Sequence, residues 1–441
     1  MIKNFILILI LLINTWAVNV LHIGVFPKNV IADKDSIEGR FYSKKETKLN
    51  HIVLEGSPYH RGREFGRLTA ELLFKQEEQL VHQLNTFFPS SIIQKAFFIL
   101  LIRWFWGIEK YFDKMFTDEM QGVSESTSEK FDYLGDKLTR QVAYHGLHEV
   151  GQMMMGYSHS WGCTVLGVPT NQSWIIGRNF DFEAGKIFDE EKILKWVYPD
   201  RGNAYVSVIW AGMVGVVTGI NEKGIYLSLN AAGSTDFARY GAPSTLVVAK
   251  VLQTTSTIIE AIQVLKESQI LITEIFVLVD FKNRRAFRIE KSPEKMDIIE
   301  QHSSFVVTNH LVSDLWKDDS INRHRKKILT TIDREMRGKK LLQNWQSNGS
   351  IVDTQRMATF LRDKKDFLGK KLALGDRRAI DALIATHSVI VDGERNYLYI
   401  NEGPSLVGRY VGIDLTASFA RKRPIMVSDL PADPEVPRKE Q

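Results

Sequence analysis

His159-Ser160-Trp161-Gly162-Cys163-Thr164 and, further on, Gly177-Arg178-Asn179-Phe180-Asp181-Phe182 read as two strands joined by a turn. This pair decides the reading of the chain. Cys163 is the only cysteine among 441 residues, so it has no internal disulfide partner and its thiol is open to other chemistry. A thiol is a good nucleophile only when its thiolate is stabilised, and a cation such as Arg178 on a neighbouring strand supplies the required field. Asp181, three residues on, is placed to pair with a cationic amine or to orient a proton donor. The ordinary alternative is a small buried hydrophobe.

Downstream of Trp161 the texture is short β-branched and aromatic runs joined by tight turns, the signature of antiparallel sheet. Strands are expected at Trp174–Ile176, Ala204–Trp210, Val214–Ile220, Ile225–Leu229, Phe276–Asp280, Ala286–Glu290, Ser388–Asp392 and Tyr397–Ile400. Helices are expected from Thr257 to Glu267, capped by Ser256 or Thr257, from Ile321 to Leu342, and from Thr354 to Leu361. Upstream, the pattern from Val53 to about Val150 is mainly helical, with one helix starting at Gly62. The apolar, aromatic run Ala96 to Ile108 is too short to span a bilayer and fits a buried or interfacial helix. Strands and helices grouped in this way point to packed sheets with helices outside.

The pattern Gly162-Cys163-Thr164 followed by Gly177-Arg178-Asn179-Phe180-Asp181 resembles the choloylglycine hydrolase and acyl-coenzyme A:6-aminopenicillanic acid acyltransferase group of N-terminal-nucleophile hydrolases. Three further segments are similar to the group in the expected order: the glycine-spaced run Gly56 to Gly66, the turn Asn221-Glu222-Lys223-Gly224 leading to Leu229-Asn230, and Thr308-Asn309-His310. The resemblance implies an α+β, four-layer αββα sandwich with a mainly helical N-terminal segment. It also implies Cys163 as nucleophile, Arg178 and Asp181 beside it, and Asn230 and Asn309 as oxyanion donor and neighbour of the α-amine. A late arginine falls on Arg323, with Arg377 and Arg378 as rivals.

In this group the nucleophile is an N-terminal residue, whereas 162 residues precede Cys163. The acyltransferase branch implies self-cleavage between Gly162 and Cys163, with the released segment retained. A free α-amine has an ordinary pKa of about 7.7–8.0, so it can take the thiol proton near neutral pH. The expected activity is hydrolysis of a linear amide in a small or lipid-like N-acyl compound, through a thioester. Transfer of the acyl group to an amine, and a membrane-tethered binding protein on the same fold, are the alternatives. His310 or His387 would serve Cys163 in a papain-like dyad only within hydrogen-bond reach.

Composition bounds the rest. Charged residues make up 25% and apolar ones 44%, which describes a globular chain. The formal charge of +5 is too small to imply nucleic acid, and the basic run Arg323, Arg325, Lys326 and Lys327 reads as a solvated helix face. His145, His148 and Glu149 match no zinc spacing, and phosphate-binding glycine loops are absent, so neither metal nor cofactor is expected. The run Asn4 to Pro27 carries no formal charge and follows Lys3, as in a signal peptide or retained anchor over residues 1–26. An exported location with membrane contact through this segment follows. The expected divisions are the helical segment 27–162, the catalytic unit 163–420 and a proline-rich, disordered tail 421–441.

Overall fold

The computed structural model describes residues 40–42, 47–87, 90–104, 108–154, 161–183, 185–347 and 353–436. The expected export segment lies outside them. Numbered along the chain, the strands are β1 (Arg40–Tyr42), β2 (Asn50–Gly56), β3 (Trp161–Pro169), β4 (Trp174–Phe182), β5 (Ile193–Pro199), β6 (Tyr205–Ile209), β7 (Thr218–Asn221), β8 (Ile225–Ala231), β9 (Glu274–Asp280), β10 (Arg285–Lys291), β11 (Met296–Gln301), β12 (Phe305–Val307), β13 (Ala385–Asp392), β14 (Tyr397–Asn401), β15 (Tyr410–Asp414) and β16 (Met426–Leu430). They form a nine-stranded sheet, β1-β2-β5-β6-β7-β8-β9-β10-β11, and a seven-stranded sheet, β12-β3-β4-β13-β14-β15-β16.

Alternation along the strands builds the layers. Between the sheets, Val53, Trp196, Val206 and Val277 meet Val165, Ile176, Val389 and Ile400. On the outer face of the larger sheet, Leu227, Leu229 and Phe276 pack with Leu246, Leu252 and Leu265 from the helices Ser244–Thr254 and Ile258–Glu267. Outside the smaller sheet, Leu166, Val168 and Ile390 pack with Leu342, Trp345, Met357 and Leu361. Helix, sheet, sheet, helix is the four-layer α+β sandwich expected. The helix over the larger sheet starts at a capping box in which Thr257 accepts from the Glu260 amide and the Glu260 side chain returns to Thr257.

The N-terminal segment is mainly helical, as expected, and also adds to the larger sheet: β2 pairs in parallel with β5 over seven residues. Two expectations are corrected. The tail is ordered as far as residue 436: β16 pairs with β15, and the buried Asp433 carboxylate is held by Lys364. Its prolines and charges suggested disorder, yet one strand and one buried ion pair outweigh that composition. The helix expected from Ile321 to Leu342 is two helices, Ser320–Ile328 and Thr331–Ser347, because Leu329 is extended.

The glycine-spaced run Gly56 to Gly66 has a packing explanation. It builds the helix Pro58–Leu68, which crosses Lys114–Ser124 so closely that a Cβ on Gly62 would stand 1.9 Å from the Glu119 carbonyl oxygen. No side chain fits there. Beneath the crossing, Arg61 and Lys195 each donate to Glu119 at 2.9 Å, with all three side chains buried.

Candidate active site

All the expected core groups arrive at one end of the sandwich, where β3 begins and β4, β8 and β12 end. Cys163 stands opposite Phe180 and Gly162 opposite Asp181 in the β3–β4 pair. The Arg178 side chain points between the sheets and is fully buried. Its Nη1 donates to the Val217 carbonyl at 2.8 Å and to Thr218 Oγ1, while Nη2 donates to the Leu229 carbonyl. The same Nη2 lies 3.8 Å from Cys163 Sγ. Backbone acceptors from the opposite sheet thus hold the guanidinium against the sulfur.

Asn309, just beyond β12, is the hub. Its Oδ1 accepts from the Cys163 amide at 2.7 Å, its Nδ2 donates to the Ala231 carbonyl at 2.9 Å, and its own amide donates to Thr331 Oγ1. Asn230 faces the same space from β8. Its Nδ2 donates to the Thr308 carbonyl at 3.1 Å and to Val307 at 3.4 Å, and its Oδ1 is buried without a partner.

The late arginine is not Arg323. That side chain is largely exposed and reaches Asp318 at 3.5 Å. Arg377 pairs with Glu183 and Arg378 with Asp376, and neither donates a hydrogen bond to Cys163. The group in the site is Arg334, whose Nη1 donates to the Cys163 carbonyl at 2.5 Å and to Thr164 Oγ1 at 2.9 Å, and whose Nη2 donates to Asn309 Oδ1 at 2.9 Å. The break at Leu329 is why sequence reading missed it: on one continuous helix, residues 323 and 334 would share a face, but the second helix starts in a new direction. The visible signal is an arginine three residues into a run starting at Thr331, ahead of Arg337 on the same helix.

Burial dominates the electrostatics. It pushes the Cys163 thiol up, with Arg178 pulling the other way. It raises the Asp181 carboxyl from 3.8 to about 7, opposed mainly by Arg334, and Asp181 Oδ1 has no hydrogen-bond partner. Asp181 lies against the Gly162–Cys163 peptide: a Cβ on Gly162 would come 2.8 Å from Asp181 Oδ2. Glycine is therefore the residue that fits before Cys163.

Neither histidine forms a dyad. His310 contacts Thr308, Thr331 and Glu335, and His387 shares a hydrogen bond with Thr218 Oγ1 at 2.9 Å. His145 accepts from the Val214 amide and bonds the Gln141 carbonyl, and among the described residues no group of three His, Cys, Asp or Glu side chains is arranged to hold a metal.

An apolar cavity of about 160 Å³ opens beside Phe180. Leu73, Leu80 and Tyr144 wall it from the helices Ala70–Phe87 and Lys137–Met154, facing Phe188, Trp210 and Val217. The aromatic run expected as a cover forms the helix Ser91–Trp104, in which Ile99 is buried and Ile92 and Leu100 are exposed. Its Phe98 and Trp104 side chains lie outside the described residues. No helix among the described residues is long and apolar enough to cross a membrane.

A relative in Archaeoglobus fulgidus, an uncharacterised protein, is 24% identical over 248 residues. The alignment takes in 52% of this chain but 41% of the relative, so this chain spans about two fifths of that protein's length. Among solved structures, a Caenorhabditis elegans ortholog of N-acylethanolamine-hydrolyzing acid amidase is similar at 15% identity and a TM-score of 0.38, covering 60% of this chain and all of that one. A mutant conjugated bile acid hydrolase from Clostridium perfringens follows at 12% and 0.41, covering 60% and 96%. These likenesses are distant, and the layers stand on strand pairing alone. Residues 168–375 match the family model described as Acyl-coenzyme A:6-aminopenicillanic acid acyl-transferase, a stretch that starts just after Cys163 and holds Arg178, Asp181, Asn230, Asn309 and Arg334. Over that stretch the chain is similar to this family, in agreement with the group its motifs resemble.

Proposed function

We propose that this protein hydrolyses the amide bond of an N-acyl compound, with Cys163 as nucleophile once the chain has cut itself after Gly162. The observation that carries the reading is the convergence on Cys163: Asn309 at its nitrogen, Arg178 at its sulfur and Arg334 at its carbonyl. In the uncut chain that nitrogen is an amide and burial keeps the thiol protonated. For the cut, the Cys163 thiol attacks the Gly162 carbonyl, the nitrogen leaves with a proton that the thiol's own proton replaces, and water opens the resulting thioester, leaving Gly162 with a free carboxylate. Asp181, beside that peptide and holding a proton up to about pH 7, is the acid nearest to the leaving nitrogen.

After the cut the α-amine takes the Cys163 proton, with Asn309 Oδ1 orienting it. The thiolate adds to the substrate carbonyl, and Asn230 supplies a donor to the oxyanion by giving up its long bond to Val307. The substrate amine departs with the proton from the α-ammonium, leaving a thioester. Water then adds, assisted by the same amine, and the acid is released. Resolution by an amine instead of water would give acyl transfer, a second reading favoured by the family description.

The apolar cavity beside Phe180 receives the acyl chain, and each methylene buried there contributes about 0.8 kcal/mol. A lipid-like substrate also suits an exported enzyme held near a membrane by the uncharged run Asn4 to Pro27. Two measurements test this. Denaturing gels with N-terminal sequencing should show two fragments, the second starting at Cys163. Across N-acyl amides of increasing chain length, kcat/KM should rise; a flat profile, or activity in an uncut chain, would overturn the reading. Membrane-fraction recovery lost on deleting residues 1–26 tests the location.

A further inference from the structure

Arg325 lies on the helix Ser320–Ile328, only 5% exposed, although the basic run that contains it reads as a solvated face. Its Nε is buried without a hydrogen-bond partner. Burial pulls its pKa down, with Glu274 opposing. A guanidinium so largely buried, with a donor unused, is costly unless something binds it.

Its position says what. A Cβ on Gly233 would meet Arg325 Nη1 at 2.3 Å, so the guanidinium sits against the chain just beyond β8, and Glu274 opposes Ala231 at the start of β9. Ala231 is the residue whose carbonyl Asn309 holds while it also holds the Cys163 nitrogen. Along the larger sheet, the apolar cavity lies at the β6–β7 end, Arg178 bridges β7 and β8, and Arg325 covers β8–β9. On the smaller sheet the cavity lines β4 and Cys163 is on the neighbouring β3. The nucleophile therefore stands between an apolar cavity and a buried cation.

We propose that Arg325 binds an anionic group, carboxylate or phosphate, on the amine half of the substrate, so that the preferred substrate is an N-acyl amino acid or an N-acyl amine phosphate. This rests on amide cleavage at Cys163. A guanidinium presents a fork of donors that matches either group. With the acyl chain in the cavity, the scissile carbonyl falls at Cys163 and the amine half extends towards Arg325.

The test compares N-lauroylglycine, N-lauroylethanolamine and N-lauroylethanolamine phosphate with the mature wild-type protein, Arg325→Met and Arg325→Lys. An anionic substrate should exceed the neutral one in kcat/KM by about tenfold or more, mostly through KM, since hydrogen bonds to charged groups are worth that much. The ratio should collapse in Arg325→Met and recover in part in Arg325→Lys. Preference for glycine or for phosphate identifies the anion. A wild-type ratio near one, or an Arg325→Met that lowers all three substrates equally, overturns the proposal, and the wild-type ratio decides even if the variants fail to fold. Calorimetry with uncleavable N-dodecylsulfonylglycine and N-dodecylsulfonylethanolamine on wild type separates the two ideas. Tighter binding of the anionic compound without turnover of any amide would retain the Arg325 site and sink amide hydrolysis, whereas turnover without preference would do the reverse.

Discussion

Among the buried clusters of charge, the one under the Pro58–Leu68 helix and the one around Cys163 differ in how far their polar atoms are used. In the first, Glu119 receives Arg61 and Lys195 at 2.9 Å each. Burial pushes the Glu119 carboxyl up, but the two cations more than offset it and it ends below its ordinary value. In the second, two arginines surround a thiol that burial keeps protonated and a carboxyl raised to about 7 with one oxygen unbonded. The first cluster has neutralised its carboxylate and can only hold; the second keeps groups whose protons can move. Arg61 and Glu119 precede Gly162 and Lys195 follows it, so in a chain cut as proposed the closed cluster would tie the two fragments together.

The largest test of the difference is Cys163→Ala. It should leave a single uncut chain on a denaturing gel with no amidase activity, because the same sulfur makes the cut and the thioester. Next come the groups that address the Cys163 nitrogen and carbonyl. Asn309→Ala and Arg334→Met should each lower kcat by about 100- to 1000-fold, the scale on which losing a positioned hydrogen-bonding group at a reacting centre acts. Arg323→Ala should match wild type, and a large loss there with a silent Arg334→Met would reverse the assignment. The closed cluster should respond in stability instead. Glu119→Ala leaves Arg61 and Lys195 buried together, at a loss of about 3–5 kcal/mol. Denaturation midpoints should fall, and the N-terminal fragment should dissociate on gel filtration more readily than in wild type. Protein that remains folded should still cut itself.

How much of this was legible in sequence follows from the same contrast. Local patterns announced Cys163 with Arg178 and Asp181, because adjacent antiparallel strands bring near sequence neighbours together, and they announced most of the strands by alternation. Asn230 and Asn309 were legible through motif order. Arg334 was hidden by a helix break at Leu329 that no proline or glycine marks. The parallel pairing of β2 with β5 joins residues more than a hundred apart and leaves no local trace. The Glu119 cluster was hidden for the same reason: its three members come from three distant segments, and each reads alone as a surface charge.

The smallest expected effect separates the clusters by pH. In the folded chain Asp181 titrates near 7, against 3.8 ordinarily, so the fold favours its protonated form. Between those values the native state binds more protons than the unfolded one, and stability must fall as pH rises. The contribution is fully present below about pH 3.8 and is lost on passing 7. Its slope is at most about 1.4 kcal/mol per pH unit. Glu119 has the opposite sign, its pKa being held down, so its contribution is lost as pH falls. The comparison is best made in the uncut Cys163→Ala chain, with and without Asp181→Asn. Urea midpoints measured from pH 4 to pH 7 should decline more steeply with Asp181 present, and the two curves should converge at the acid end if the asparagine fits the same space. Parallel curves would mean that Asp181 is already charged at pH 4, which would remove it as the acid beside the Gly162–Cys163 bond and leave the Cys163 proton itself as the one transferred to the leaving nitrogen.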